Sequence, residues 1–127
     1  MEFLHTMVRA KDIEKSLNFY TELLEMKLVK EKQFDDCTLS FLTDKNGIVQ
    51  IELMYNNEAP ENGYELGTGF GHFAFKVESM NDFTIKLQKL GYNYSREPYK
   101  LSSKGSTIAF VKDPDGYEIE LIERKEG

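Results

Sequence analysis

Ile51-Glu52-Leu53 and Ile119-Glu120-Leu121 are the same tripeptide, 68 residues apart, and each follows a histidine at nearly the same distance. His5 stands in Phe3-Leu4-His5-Thr6-Met7-Val8 and His72 in Phe70-Gly71-His72-Phe73-Ala74-Phe75, so the His-to-Glu separations are 47 and 48 residues. These are the only two histidines in the chain. Working outward, Phe41 answers Phe110, and the turn Asp44-Lys45-Asn46-Gly47 answers Asp113-Pro114-Asp115-Gly116. The chain reads as one supersecondary unit written twice, and each copy is too small to bury its own sheet face.

The first copy predicts a strand over about 2–9, then a helix capped by Asp12, whose apolar stripe is Ile13, Leu17, Tyr20 and Leu24. Strands follow around 26–32, 38–43 and 48–55, with Asn46-Gly47 as the hairpin signal between the last two. The second copy predicts a strand over 69–77 and a helix capped by Ser79, with Asp82 in the capping-box position. Met80, Phe83, Leu87 and Leu90 form its apolar face and Gly91 ends it. Strands near 92–96, 106–111 and 117–123 complete it. The fold class is therefore α+β, with two βαβββ modules forming curved mixed sheets in a single domain. Residues 1–56 are the first module, 57–68 a linker punctuated by Pro60 and Gly63, and 69–127 the second module.

Strand parity sets the chemistry. Side chains alternate between faces, so His5, Met7 and Arg9 share one face, as do Gln50, Glu52, Met54 and Asn56. In the repeat, His72, Ala74 and Lys76 share a face, and so do Glu118, Glu120 and Ile122. The apolar opposites are left for the helices to cover, and the two His and two Glu point into one cavity. Two imidazoles and two carboxylates suit a divalent transition metal. A single strand histidine or glutamate is ordinarily a surface or hydrogen-bonded residue, and the matched placement of all four is what favours a ligand set. Glu118, on the face of Glu120, competes for the ligand role but has no counterpart in the first half. Glu118 and Glu123 read as solvent charges. Arg9 is either a rim salt bridge or a fork for a substrate carboxylate. The Asp113–Gly116 turn needs no function beyond turning.

Bulk properties narrow the classes. At 127 residues, 40% apolar and 30% charged, the chain is one soluble domain's length. A net charge of −6 with no basic stripe argues against nucleic acid. No apolar run is long enough to span a membrane, and Glu2, Arg9, Lys11 and Asp12 interrupt any signal-peptide core. Cys37 is the lone cysteine, with Asp35 and Asp36 beside it, so it reads as inert and the setting as cytoplasmic.

Five segments then resemble one family closely: His5–Arg9, Ser16–Thr21, Ile51–Asn56, Tyr64–His72 and Ile108–Tyr117. They are similar to bacterial glyoxalase I, the lactoylglutathione lyases of the vicinal oxygen chelate superfamily, over nearly the whole chain. The resemblance implies a homodimer of paired βαβββ modules with metal sites at the subunit interface. Its ligands are His5, Glu52, His72 and Glu120. The compact chain resembles the nickel- or cobalt-activated class rather than the zinc type. The resemblance also implies the activity: the methylglyoxal–glutathione hemithioacetal becomes S-D-lactoylglutathione by glutamate-mediated proton transfer through a metal-bound enediolate. Glu120 is the favoured base and Glu52 its partner. Arg9, Asn56 and Arg96 hold glutathione, with Lys104 carried from a loop that departs from the family pattern. Glu25 stands where the family usually has glycine. Other readings on the same fold are a metal epimerase, a thiol transferase or a metal-free small-molecule-binding protein.

Overall fold

A computed structural model describes residues 1–103 and 105–124. The first of two units spans Met1–Glu65 and the second begins at Leu66. The first runs β1 (Thr6–Arg9), α1 (Ile13–Asn18) with a π-helical turn (Phe19–Leu23), β2 (Lys27–Gln33), β3 (Cys37–Thr43) and β4 (Gln50–Asn56). Its sheet order is β1-β4-β3-β2, with β1 parallel to β4 and the other pairs antiparallel. The second unit repeats the design: β5 (His72–Lys76), α2 (Met80–Lys89), β6 (Arg96–Lys100), β7 (Thr107–Lys112) and β8 (Glu118–Glu123). Its order is β5-β8-β7-β6, again with one parallel pair. Both units are α+β modules with mixed four-stranded sheets.

Local chemistry places these elements. Asp12 caps α1 by accepting from the Lys15 N–H at 3.1 Å, and Ser79 caps α2 by accepting from the Asp82 N–H at 3.1 Å. The two strand-joining turns use the same device. The Asp44 carboxylate accepts from the N–H groups of Asn46 and Gly47, and the Asp113 carboxylate from those of Asp115 and Tyr117. Glu123 is not the solvent charge that its position implied. Its carboxylate is half-buried and accepts from the Met80 N–H at 2.5 Å, satisfying an unpaired donor at the start of α2.

The helix ends differ. α2 closes on Gly91 at φ 84°, with Gly91 N–H donating to Gln88 and Tyr92 N–H to Leu87, a Schellman motif. At the corresponding end of the first helix, Glu25 takes φ 58°, a left-handed conformation that costs any residue with a Cβ. This is the physical reason glycine suits that place.

Several expectations fail here: β1 begins at Thr6 rather than near residue 2, and Leu90 is exposed rather than on the buried face of α2. Of Ile13, Leu17, Tyr20 and Leu24, only Tyr20 is fully buried; the stripe that packs is Ser16, Phe19, Tyr20 and Leu23. Ser16 is fully buried, and the π turn carries both Phe19 and Tyr20 inward. The strand expected over 92–96 instead begins at Arg96. Tyr94 is drawn to α2, where its hydroxyl lies 2.7 Å from that of Thr84 and its ring tilts against Phe83. The ladder to β7 opens only with Ser95 N–H donating to Phe110.

In each sheet the apolar face is the buried one. Leu42, Ile51 and Leu53 in the first unit, and Val111, Ile119 and Leu121 in the second, are at most 4% exposed. Each such side chain stabilises by ~1.5–3 kcal/mol on burial. The opposite faces carry the polar side chains.

Candidate metal centre

Strand register places a histidine and a glutamate identically in each unit. In the first, Met7 pairs with Glu52 across the parallel β1–β4 ladder, and His5 stands two residues before Met7. In the second, Ala74 pairs with Glu120 across β5–β8, and His72 stands two residues before Ala74. Two residues is one full period of a strand, so each histidine returns to the face of its glutamate. His5 Nε2 lies 2.6 Å from Glu52 Oε2, and His72 Nε2 lies 3.5 Å from Glu120 Oε1. Glu118 sits opposite His72 in the ladder, yet the imidazole meets Glu120.

A phenylalanine completes each pair. Phe41 is the antiparallel partner of Glu52 and Phe110 that of Glu120. The His5 and Phe41 rings meet edge to face at 5.5 Å and 80°, and those of His72 and Phe110 at 5.5 Å and 83°. Such contacts limit the imidazole rotamers while leaving Nε2 on the carboxylate side. The sequence showed Phe41 and Phe110 only as repeat partners. Their matched offset was the signal, but their contact with the histidines depends on cross-strand register.

The donor chemistry fits a divalent cation. Glu52 is 7% exposed, so its carboxylate is held away from water beside an imidazole that keeps 32% side-chain exposure. A buried carboxylate needs a positive partner, and a nitrogen and an oxygen facing each other form half of a four-donor shell. The second pair is more open, with side-chain exposures of 41% for His72 and 16% for Glu120. Among the described residues no three His, Cys, Asp or Glu side chains gather into one group. The structure thus brings His5 to Glu52 and His72 to Glu120, each within its own unit.

The other expected residues are placed as follows. Arg9 pairs with Met54 on the Glu52 face, its Nη1 3.3 Å from the Met54 sulfur. Asn56 lies on the same face and donates from Nδ2 to the Tyr64 hydroxyl at 3.0 Å. Arg96 pairs with Phe110 and lays its guanidinium over the Tyr99 ring at 4.1 Å. Lys104 lies outside the described residues. Cys37 pairs with Asn56 and is buried. Burial foremost, then the neighbouring Asp36 and Glu52 carboxylates, push its thiol above the ordinary range, so it is protonated and unreactive at neutral pH.

Two βαβββ units, each bearing a His–Glu pair on its polar sheet face, define a protein of the vicinal oxygen chelate fold. The family model described as "Glyoxalase/Bleomycin resistance protein/Dioxygenase superfamily" matches residues 2–121, and the chain belongs to that superfamily. It is 39% identical to the lactoylglutathione lyase of Escherichia coli O157:H7, covering 99% of this chain and 95% of that protein. It is also 39% identical to lactoylglutathione lyase GLX1 of Arabidopsis thaliana, covering 96% of this chain but only 44% of the plant protein. Glyoxalase I from Zea mays superposes with a TM-score of 0.85 at 34% identity, over 97% of this chain and 44% of that one. The chain thus spans under half the length of these plant relatives. No helix among the described residues is long and apolar enough to cross a membrane.

Proposed function

We propose that the protein is a metal-dependent lactoylglutathione lyase, acting in the cytoplasm on the hemithioacetal of methylglyoxal and glutathione. The observation that carries this reading is the identical placement of His5–Glu52 and His72–Glu120 in two register-matched sheets. The near full-length likeness to a bacterial lactoylglutathione lyase supports it.

In this reading the modules are 1–56 and 69–127, joined by 57–68, and two chains form a homodimer. His5 and Glu52 of one protomer join His72 and Glu120 of its partner around one cation. Nickel or cobalt is favoured over zinc, and the bound ion supplies Lewis-acid stabilisation of developing oxyanion charge. The residues do the rest. The Glu120 carboxylate would remove the C1 proton of the hemithioacetal, while Glu52, on the other face, would take the proton of the C1 hydroxyl and deliver it to C2. Glu120 then returns its proton to the C2 oxygen, giving S-D-lactoylglutathione with both carboxylates restored. The number of protons is conserved, and no electron leaves the substrate. Arg9 and Arg96 take substrate carboxylates, Asn56 hydrogen-bonds the peptide backbone, and Lys104 adds a charge.

The test is thioester formation followed by ultraviolet absorbance, using methylglyoxal and glutathione with apoprotein reloaded with one metal at a time. Turnover with nickel or cobalt above that with zinc supports the reading. A flat trace with every metal refutes it.

A further inference from the structure

Outside this machinery, the edge strand of the first sheet presents cations on the site face. Cross-strand pairing places Met7, Glu52, Phe41 and Lys30 in one row of the first sheet. The corresponding row of the second sheet is Ala74, Glu120, Phe110 and Arg96. Lys30 is therefore the positional counterpart of Arg96. Its Nζ lies 5.7 Å from the centre of the Phe41 ring, the ring that also holds His5.

A β-bulge makes this possible. Pairing shifts between Leu28 and Lys30, so that Lys27 faces Thr43 and Lys30 faces Phe41. Strict alternation would send Lys27 and Lys30 to opposite faces; the extra residue turns Lys27, Lys30 and Lys32 all to the face of Glu52. β6 carries a bulge between Arg96 and Tyr99, likewise beside its cation.

Lys30 is exposed, and among the described residues neither Lys30 nor Lys32 forms an ion pair. Glu31, between them, points to the other face and accepts from Ser40 at 3.3 Å. Contact with the Lys32 amine, then repulsion between the two charges, holds the Lys30 ammonium below the usual lysine range. Two adjacent ammonium groups of this kind are relieved by an anion.

We propose that Lys30 binds a carboxylate of the thiol substrate, from the row position in the first sheet that Arg96 holds in the second. The inference rests on the lyase reading for the identity of the anion. Lys32 raises the local potential, and the Phe41 ring limits where the Lys30 amine can reach.

Calorimetric titration of metal-loaded protein tests it, with glutathione and its diethyl ester as probes. Lys30→Met should weaken glutathione binding about 10-fold, the size of one charge-assisted contact. Lys30→Arg should bind within about twofold of the unmodified protein, and the ester, which lacks both carboxylates, should not distinguish Lys30→Met from it. Unchanged glutathione binding in Lys30→Met overturns the proposal. So does equal weakening for acid and ester, or an unmodified protein that binds no glutathione. A flat lyase trace alongside Lys30-dependent glutathione binding removes the lyase reading and supports the carboxylate contact.

Discussion

Glu25→Gly should stabilise the protein, and the opposite helix end supplies its own control. Glu25 holds φ 58° where the second unit has Gly91 at φ 84°. The left-handed region costs a residue bearing a Cβ about 1–2 kcal/mol relative to glycine. Removing a carboxylate from the negative end of the helix adds ~0.3 kcal/mol. Against these, glycine widens the unfolded ensemble at a cost of about 0.4–1 kcal/mol. The balance is a gain of about 0.5–1 kcal/mol, which for a chain of this length raises Tm by roughly 2–4 °C. Differential scanning calorimetry on the metal-free protein reads it directly. Glu25→Ala, which keeps the backbone cost and loses only the carboxylate, should move Tm by roughly 1 °C. Gly91→Ala, with the same two backbone terms reversed, should lower it by roughly 2–4 °C. The reasoning fails if Glu25→Gly melts at or below the parent, because strain at that φ would then not be the term that dominates.

If Glu120 is the base, Glu120→Gln should cut kcat by about 100-fold or more without unfolding the protein; a kcat within about threefold of the parent in the metal-loaded variant would assign the base elsewhere. Glu123→Gln should destabilise α2 by about 1 kcal/mol, because a charged acceptor at Met80 N–H is replaced by a neutral one; urea unfolding with an unchanged midpoint would contradict the cap. Cys37 has a thiol raised above its ordinary 9.0 by burial, then Asp36 and Glu52. The unfolded chain thus loses this proton first, and stability should fall as pH rises through 9.0 toward the higher native value. Cys37→Ser should flatten that slope in alkaline melts; a slope unchanged by the substitution would count against it.

What the sequence disclosed depended on how local each signal was. The caps at Asp12 and Ser79, the Asp-led turns and the Gly91 stop are set within three or four residues, and they stand where their chemistry places them. Tyr92-Asn93-Tyr94 misleads because aromatic residues favour strands in general, whereas here Tyr94 has a partner on α2. Leu17 and Leu24 drew the helix stripe off by one position because they are apolar, while the fully buried residue of α1 is the polar Ser16.

The polar face shows the same division. Parity aligned His5 with Glu52 and His72 with Glu120, since no bulge interrupts β1, β4, β5 or β8. Parity mis-sorts Lys27 and Lys30, because the bulge between Leu28 and Lys30 is written in pairing with β3 and not in β2 itself. Phe41 and Phe110 were visible as matched residues, but not as the rings that hold the histidines.

A mixed-dimer complementation tests the shared site most directly. One chain carries His5→Ala with Glu52→Ala and the other His72→Ala with Glu120→Ala; each is tagged differently and the heterodimer is isolated through both tags. If each cation is held by the His5–Glu52 pair of one protomer and the His72–Glu120 pair of the other, the heterodimer keeps one intact site and one empty of donors. It should bind one metal ion tightly and regain about half the parental activity, while each variant alone does neither. A doubly tagged heterodimer that binds no metal and forms no thioester would contradict the account.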